Sequence, residues 1–152
     1  MANAGVTSIH EAGMTPKDVK AFVSLAESNS LPIRVYGMLD GNNDELMKHW
    51  FAQGPLIDKS GFLNIRSIKV FYDGSLGSRT ALMEEPYSDQ IGKSLVTERI
   101  STKKIPQLGR KAADKGFQMA VHAIGDKGNN QVLKLYEEIL DTNGIFDHRW
   151  RI

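Results

Sequence analysis

The chain of 152 residues contains no cysteine. This absence excludes disulfide bonds, zinc sites built on thiolates, and cysteine nucleophiles. An excess of either charge is also missing, since 19 Lys and Arg residues oppose 18 Asp and Glu residues for a net charge of +1. A balanced charge gives no reason to expect nucleic acid or an anionic membrane surface as a partner.

Long apolar runs are absent as well. No stretch approaches the roughly 20 apolar residues that a membrane span needs, and Met1–Gly5 lacks the basic and apolar regions of a signal peptide. We therefore predict no membrane contact and a cytoplasmic location. The composition that remains, 41% hydrophobic and 24% charged, is typical of a globular domain with its own core.

The apolar period alternates between that of a strand and that of a helix, which predicts an α/β fold with a parallel sheet. A helix is expected to begin at Thr15, because Thr15 can cap it and Pro16 suits its first position. A long loop is predicted from Gly74 to about Thr97. The predicted strands are Val6–His10 with a turn at Glu11–Gly13, Ile33–Leu39, one within Ile65–Gly74, one within Gln118–Asp126, and a beginning strand at His148–Ile152. The remaining predicted helices are a short one carrying Leu46–Phe51, one from about Ser101 to Lys115 with Gly116 as its end signal, and one from about Asn129 to Leu140.

Two strand segments each carry one unusual polar residue near the C-terminal end, which is where parallel α/β folds place their chemistry. These residues are Lys69 and His122. Side chains alternate along a strand, so Lys69 lies opposite Ile68 and Val70. His122 lies opposite Met119 and Val121. If the aliphatic faces pack on helices, Lys69 and His122 point together to the other side of the sheet.

A buried lysine ammonium is costly unless it is paired or neutralised. One solution is a neutral amine that adds carbon dioxide, giving an anionic carbamate suited to bridging metal ions, with the imidazole of His122 as a companion ligand. Two alternatives remain open on the residues alone. Lys69 could reach a carboxylate such as Asp73 while His122 is a hydrogen-bonded core residue, or Lys69 could form a Schiff base.

The loops after these strands are rich in small and polar residues. Asp73, Gly74, Ser75 and Arg79 could bind a carboxylate or phosphate through backbone N–H groups and the guanidinium, although an ordinary surface loop is an equal alternative. Asp126 could begin the following helix or orient His122 by accepting a hydrogen bond.

Taken together, these motifs resemble the metal-dependent amidohydrolase superfamily, in particular the amidohydrolase-3 type that acts on C–N bonds. Nearly the whole chain takes part in the resemblance, and its most specific parts are the stretches with Lys69 and His122. The matching stretches are Gly5–Gly13, Ile33–Leu39, Ile68–Ala81, Glu85–Asp89 and Ala120–Asp126.

The resemblance implies a partial TIM (β/α)8 barrel of about four β/α units. Residues 1–152 would be a single fragment with barrel strands two to five and the start of strand six. Lys69 matches the strand-four lysine that many members carry as a carboxylated lysine, and His122 matches the strand-five metal ligand. The loop Gly74–Thr80 matches a loop over the active site, so that Gly74, Ser75 and Arg79, with the adjoining Asp73, would shape substrate binding. The implied cofactor is a divalent metal, with zinc as the first choice.

The family's remaining residues, a His-x-His pair on strand one, a histidine on strand six and an aspartate on strand eight, would lie outside this chain. A full barrel needs roughly 250 residues. We therefore expect a fragment without catalytic residues of its own, inactive alone, that self-associates through open barrel edges. Its parent would hydrolyse small amide-type, non-peptide C–N bonds through a metal-activated water. The alternative is a non-catalytic α/β module for small-anion binding or assembly.

Overall fold

A computed structural model describes residues 1–89, 104–143 and 147–152. A short 3-10 helix at Ala2–Ala4 precedes the first strand. The strands are β1 (Ser8–Met14), β2 (Arg34–Asp40), β3 (Leu56–Ile57), β4 (Leu63–Phe71) and β5 (Gln118–His122). The helices are α1 (Pro16–Glu27), α2 (Asp44–Gln53), α3 (Lys104–Asp114) and α4 (Asp126–Asn143).

Strand β4 lies at the centre of the sheet. It pairs in parallel with β2 on one side and with β5 on the other, and β1 pairs in parallel with β2. The two-residue β3 runs antiparallel to the first half of β4. Beyond β5, Arg151 forms a parallel bridge to Ala120, so the predicted strand at the tail is beginning there. The α/β fold with parallel β/α units of the TIM-barrel type is confirmed.

A bulge in β4 decides which of its side chains face the core. Gly37 of β2 pairs with Ile65, but Met38 pairs with Ser67, so Arg66 is an extra residue in β4. The extra residue reverses the alternation, and Ile68 therefore faces the same side as Ile65. Lys69 is left on the opposite face of the sheet.

All four helices pack against one face of the sheet. Ile68, Val70 and Met119 on that face are completely buried, and they join one apolar cluster with helix residues that include Trp50, Ile105, Val132 and Tyr136. The opposite face carries the side chains of Lys69, Phe71 and His122, which are half-buried or exposed. No helix within the described ranges is long and apolar enough to cross a bilayer.

The helix starts follow local capping rules. Thr15 accepts a hydrogen bond from the backbone N–H of Asp18, and the Asp18 carboxylate accepts one from the backbone N–H of Thr15 in return, which is a capping box. The predicted start of α1 is therefore confirmed. Asn43 caps α2 by accepting from the N–H of Leu46 at 2.9 Å. The Thr15 hydrogen bonds lower the pKa of the Asp18 carboxyl.

The predicted turn at Glu11–Gly13 is wrong, because β1 continues through it to Met14. Pairing with β2 persists through Ala12, opposite Met38, and resumes at Met14, opposite Leu39. Gly13, with a φ of 88°, is the irregular residue between them. Glu11–Gly13 therefore form part of a bulged strand end, and the chain does not reverse its direction there.

Other boundaries differ by a few residues. Helix α4 begins at Asp126 rather than Asn129, since the backbone N–H of Asn129 already donates to the carbonyl of Gly125 at 2.9 Å. The end signal predicted at Gly116 is confirmed, since α3 ends at Asp114 and Gly116 has a φ of 74°. The short β3 was not predicted. The end of the long loop near Thr97 and the predicted helix start at Ser101 lie outside the described residues.

Candidate functional site

Lys69 and His122 lie on the same face of the sheet, on neighbouring parallel strands. The register pairs Lys69 with Ala120 and Phe71 with His122, so the two polar side chains are diagonal neighbours. The Phe71 ring stands between them, with the Lys69 Nζ 3.9 Å from its centroid and the His122 ring centroid 5.4 Å away. The expectation that these residues point to a common side at the C-terminal ends of their strands is confirmed.

The hydrogen bond of the His122 side chain indicates the tautomer of the ring. Its Nε2 lies 2.7 Å from the carbonyl oxygen of Gly74, and a carbonyl oxygen can only accept a hydrogen bond. In the neutral ring Nε2 therefore carries the proton, and Nδ1 carries the lone pair that a metal ion could use. The side chain is 27% exposed, so the site is open to a small molecule.

The Lys69 side chain is half-buried and is held by weak interactions. Its Nζ donates to the carbonyl oxygen of Val70 at 3.0 Å and rests over the Phe71 ring. Burial lowers the pKa of Lys69 from 10.5 to about 8. The alternative ion pair with Asp73 is not formed, since the Asp73 carboxylate is surrounded by backbone N–H groups of other residues.

Asp73 is the buried carboxylate next to His122. Its side chain is fully buried, and its Oδ1 lies 3.6 Å from the Nε2 of His122. Its oxygens accept hydrogen bonds from the backbone N–H groups of Leu82, Ile124 and Gly125. A carboxylate enclosed in this way anchors loops and is not exposed to a substrate.

The loop after Asp73 is held together by hydrogen bonds between its own residues. The N–H of Gly74 donates to the carbonyl of Thr80 at 2.9 Å, and the N–H of Ser75 donates to the Thr80 hydroxyl at 3.0 Å. The Ser78 hydroxyl is hydrogen-bonded to those of Ser75 and Thr80. The hydroxyls of this loop are therefore already partnered with one another.

Arg79 also has a partner. Its Nε donates to Asp89 at 2.9 Å, and this exposed carboxylate raises the pKa of the guanidinium. An anion would have to displace Asp89 to reach Arg79. The arrangement does not favour the alternative of a small-anion-binding module.

Asp126 lies at the start of α4 and is exposed. Its Oδ1 accepts from the N–H groups of Glu84 and Lys127, both at 2.8 Å. It therefore ties the segment after the loop to α4, while the carboxylate beside His122 is Asp73. The sequence did not reveal which aspartate lies beside His122, because Asp73 and Asp126 each adjoin a glycine at the end of a strand.

A second polar group on the same face was missed by the sequence reading. The guanidinium of Arg151 lies 5.0 Å from the ring centroid of Tyr36 and donates to the Gln118 side chain at 3.0 Å. The Tyr36 hydroxyl also donates to Gln118, which is buried. His10 stacks near Tyr36 at 4.9 Å. These residues lie toward the other ends of the strands, away from His122.

The metal-ligating capacity of the described residues is limited. Within residues 1–89, 104–143 and 147–152, no cluster of three or more His, Cys, Asp or Glu side chains is arranged to hold a metal ion. Nδ1 of His122 and a neutral or carboxylated Lys69 carry lone pairs of the kind that a metal ion binds, and they could supply at most two ligands of a larger set. Further ligands would have to come from residues beyond this group.

The whole sequence, residues 1–152, matches the sequence model described as "Amidohydrolase family". It is 33% identical to the Bacillus subtilis (strain 168) protein named "Putative amidohydrolase YtcJ". The match covers 85% of this chain and 23% of that protein. It is 40% identical to Protein LONG AFTER FAR-RED 3 of Arabidopsis thaliana over 61% of this chain and 16% of that protein. The chain thus matches less than a quarter of the length of either relative.

Two solved structures share the fold. An uncharacterized metal-dependent hydrolase from Pyrococcus horikoshii OT3 superposes with a TM-score of 0.81 at 29% identity, over 90% of this chain and 28% of that one. An uncharacterized metal-dependent hydrolase from Pyrococcus furiosus gives a TM-score of 0.74 at 32% identity, over 87% and 27%.

Proposed function

Because this chain belongs to the amidohydrolase family, we propose that it forms part of a metal-dependent hydrolase of small amide-type, non-peptide C–N bonds. The observation that carries the proposal is the placement of Lys69 and His122. They share one face at the C-terminal ends of adjacent parallel strands, and the hydrogen bond from Nε2 of His122 to Gly74 leaves Nδ1 as an acceptor.

In this proposal Lys69 binds metal as a carbamate. The neutral amine attacks the carbon of carbon dioxide, an N–C bond forms while one C=O π bond breaks, and one proton leaves the nitrogen for solvent, so that a carbamate with one negative charge shared by two oxygens replaces the neutral amine. The lowered pKa of Lys69 supports this step, because only the neutral amine carries the required lone pair. A divalent metal, for which we propose zinc, would supply Lewis-acid polarisation of the scissile carbonyl and activation of a water molecule.

The proposal includes a place in a larger barrel. Strands β1, β2, β4 and β5 would be barrel strands two to five, and the Arg151 bridge would begin strand six. The loop Gly74–Thr80 would border the substrate, with contributions from Gly74, Ser75 and Arg79. A direct substrate contact by Asp73 is not part of the proposal, because its carboxylate is fully buried. A cytoplasmic location belongs to the same proposal and rests on the sequence alone.

Zinc binding tests this proposal. We expect the purified chain, equilibrated with zinc and bicarbonate, to bind zinc, and we expect Lys69→Ala and His122→Ala each to weaken binding by about tenfold or more, since even outer partners of a metal ligand are worth that much. Equilibrium dialysis with elemental analysis gives the affinity. Carbon-13 NMR in labelled bicarbonate would show a carbamate signal that disappears in Lys69→Ala.

Lys17→Ala is the matched control, because Lys17 is an exposed lysine on α1, and its zinc binding should equal that of the native chain. Equal zinc binding in the native chain and both site variants would refute the proposed ligands.

We also propose that the chain alone does not hydrolyse amides, since two ligands are too few for a catalytic zinc site. Metal-dependent turnover by the pure chain would contradict that part.

We propose that the chain associates with further copies of itself. Strand β1 pairs on one side only within the described residues, and an edge strand with unpaired N–H and C=O groups is a template for another strand. The face with the exposed Phe71 is not covered by any described helix. Light scattering at moderate concentration should therefore show species larger than 16.9 kDa, and a monodisperse monomer would contradict the prediction.

A further inference from the structure

Asp73 connects two loops that are about 50 residues apart in the sequence. Its Oδ2 accepts from the N–H of Leu82 and from the N–H of Gly125, both at 2.9 Å, and its Oδ1 accepts from the N–H of Ile124 at 3.0 Å. The carboxylate is fully buried. A buried carboxylate is tolerated when several donors surround it, and here each donor belongs to the loop after β4 or to the loop after β5.

The residue next to Asp73 accepts the hydrogen bond of the His122 side chain, while Asp73 Oδ1 itself lies 3.6 Å from the same Nε2. The carbonyl of Gly74 accepts the Nε2 proton of His122 at 2.7 Å. Gly74 is itself fixed by its N–H bond to the carbonyl of Thr80, and a Cβ added to it would overlap the Thr80 side chain. The position of this carbonyl therefore depends on how the loop is anchored, and Asp73 is the anchor.

We infer that Asp73 is a positioning residue, which holds the Gly74 carbonyl against Nε2 of His122 and so keeps Nδ1 free as an acceptor. A metal role for Nδ1 rests on the proposed function, but the positioning does not. The side chain acts through the loop and through one hydrogen bond of His122. It does not touch the substrate.

The hydrogen-bond pattern explains why an aspartate is needed. Two carboxylate oxygens, with only acceptor sites, receive three N–H donors. An asparagine has one carbonyl oxygen, and its NH2 group would face at least one of these donors. Asp73→Asn keeps the volume of the side chain but leaves buried donors without an acceptor, which is costly.

The test is NMR of the chain labelled with nitrogen-15 and carbon-13, in which the His122 ring proton and the backbone amides around Asp73 are both observed. In the native chain we expect a His122 Nε2–H signal that is protected from solvent exchange and coupled to the Gly74 carbonyl carbon, with Nδ1 unprotonated. In Asp73→Asn we expect this proton and the amides of Leu82, Ile124 and Gly125 to exchange about tenfold faster or more. Faster exchange of these amides with an unchanged His122 signal would overturn the inference, because Asp73 would then be an anchor only.

Asp126→Asn is the matched control. Asp126 also accepts two backbone N–H groups but not at the Gly74 loop, so the His122 signal should be unchanged. Loss of that signal in Asp126→Asn but not in Asp73→Asn would assign the role to Asp126 and overturn the inference.

A second variant covers the case in which Asp73→Asn does not fold. A Cβ on Gly128 would lie 2.9 Å from the Oδ2 of Asp73, so Gly128→Ala displaces the carboxylate without removing it. We expect faster exchange of the His122 proton there too, and an unchanged rate would count against the inference. Failure of zinc to bind would count against Lys69 and His122 as metal ligands within this chain while leaving the His122 signal as it is, so the two failures are distinguishable.

Discussion

Gly125→Ala is expected to destabilise the fold by about 3 kcal/mol or more, at the upper end of overpacking effects. A Cβ on Gly125 would overlap the backbone carbonyl of Leu82. A backbone group cannot move aside as the end of a flexible side chain can. The two loops would have to separate, and the hydrogen bond from the N–H of Gly125 to Asp73 would be lost with them. Urea unfolding followed by circular dichroism measures the change.

Gly77→Ala serves as the control for this substitution. Gly77 lies in the neighbouring loop, and a Cβ added there would meet nothing within 4 Å. Its free energy of unfolding should stay within about 0.5 kcal/mol of the native value. Equal stability of Gly125→Ala and Gly77→Ala would show that the loops after β4 and β5 do not meet as described.

Ile68→Ala is expected to destabilise the fold by about 2–5 kcal/mol, the range for removing a large buried aliphatic side chain. Ile68 lies in the central strand between Leu39 of β2 and Met119 of β5, and all three are completely buried. The strand backbone is fixed on both sides, so the surrounding residues can collapse only in part into the space. The measurement is again the free energy of unfolding in urea.

Ile57→Ala is the matched control, since it removes the same atoms from a side chain that is 63% exposed. Its effect should be less than about 1 kcal/mol. A large effect at Ile57 with a small effect at Ile68 would mean that the apolar side of β4 is the reverse of the one described. That result would also move Lys69 away from the face it shares with His122.

Local patterns in the sequence predicted much of the fold. The start of α1 could be predicted because a capping box involves residues three apart, whatever the rest of the chain does. The shared face of Lys69 and His122 could be predicted because alternation along a strand is a local rule. The resemblance to amidohydrolases was readable for the same reason, since its specific residues lie in two short contiguous stretches.

Local rules failed where pairing between strands decided the outcome. Glu11–Gly13 has the composition of a turn, but pairing with β2 extends the strand through it. The bulge at Arg66 is visible only in the register between β2 and β4. Neither result depends on the residues alone, because the hydrogen bonds that decide them come from a neighbouring strand.

The candidate site divides in the same way. The sequence by itself determined which residues bring unusual chemistry to the sheet, namely Lys69 and His122, and that each lies opposite its aliphatic neighbours on the same strand. Only the tertiary structure decided that Asp73, and not Asp126, lies beside His122. Asp73 meets its three N–H donors 9, 51 and 52 positions along the chain, and contacts across such separations exist only after both loops have folded onto the same end of the sheet.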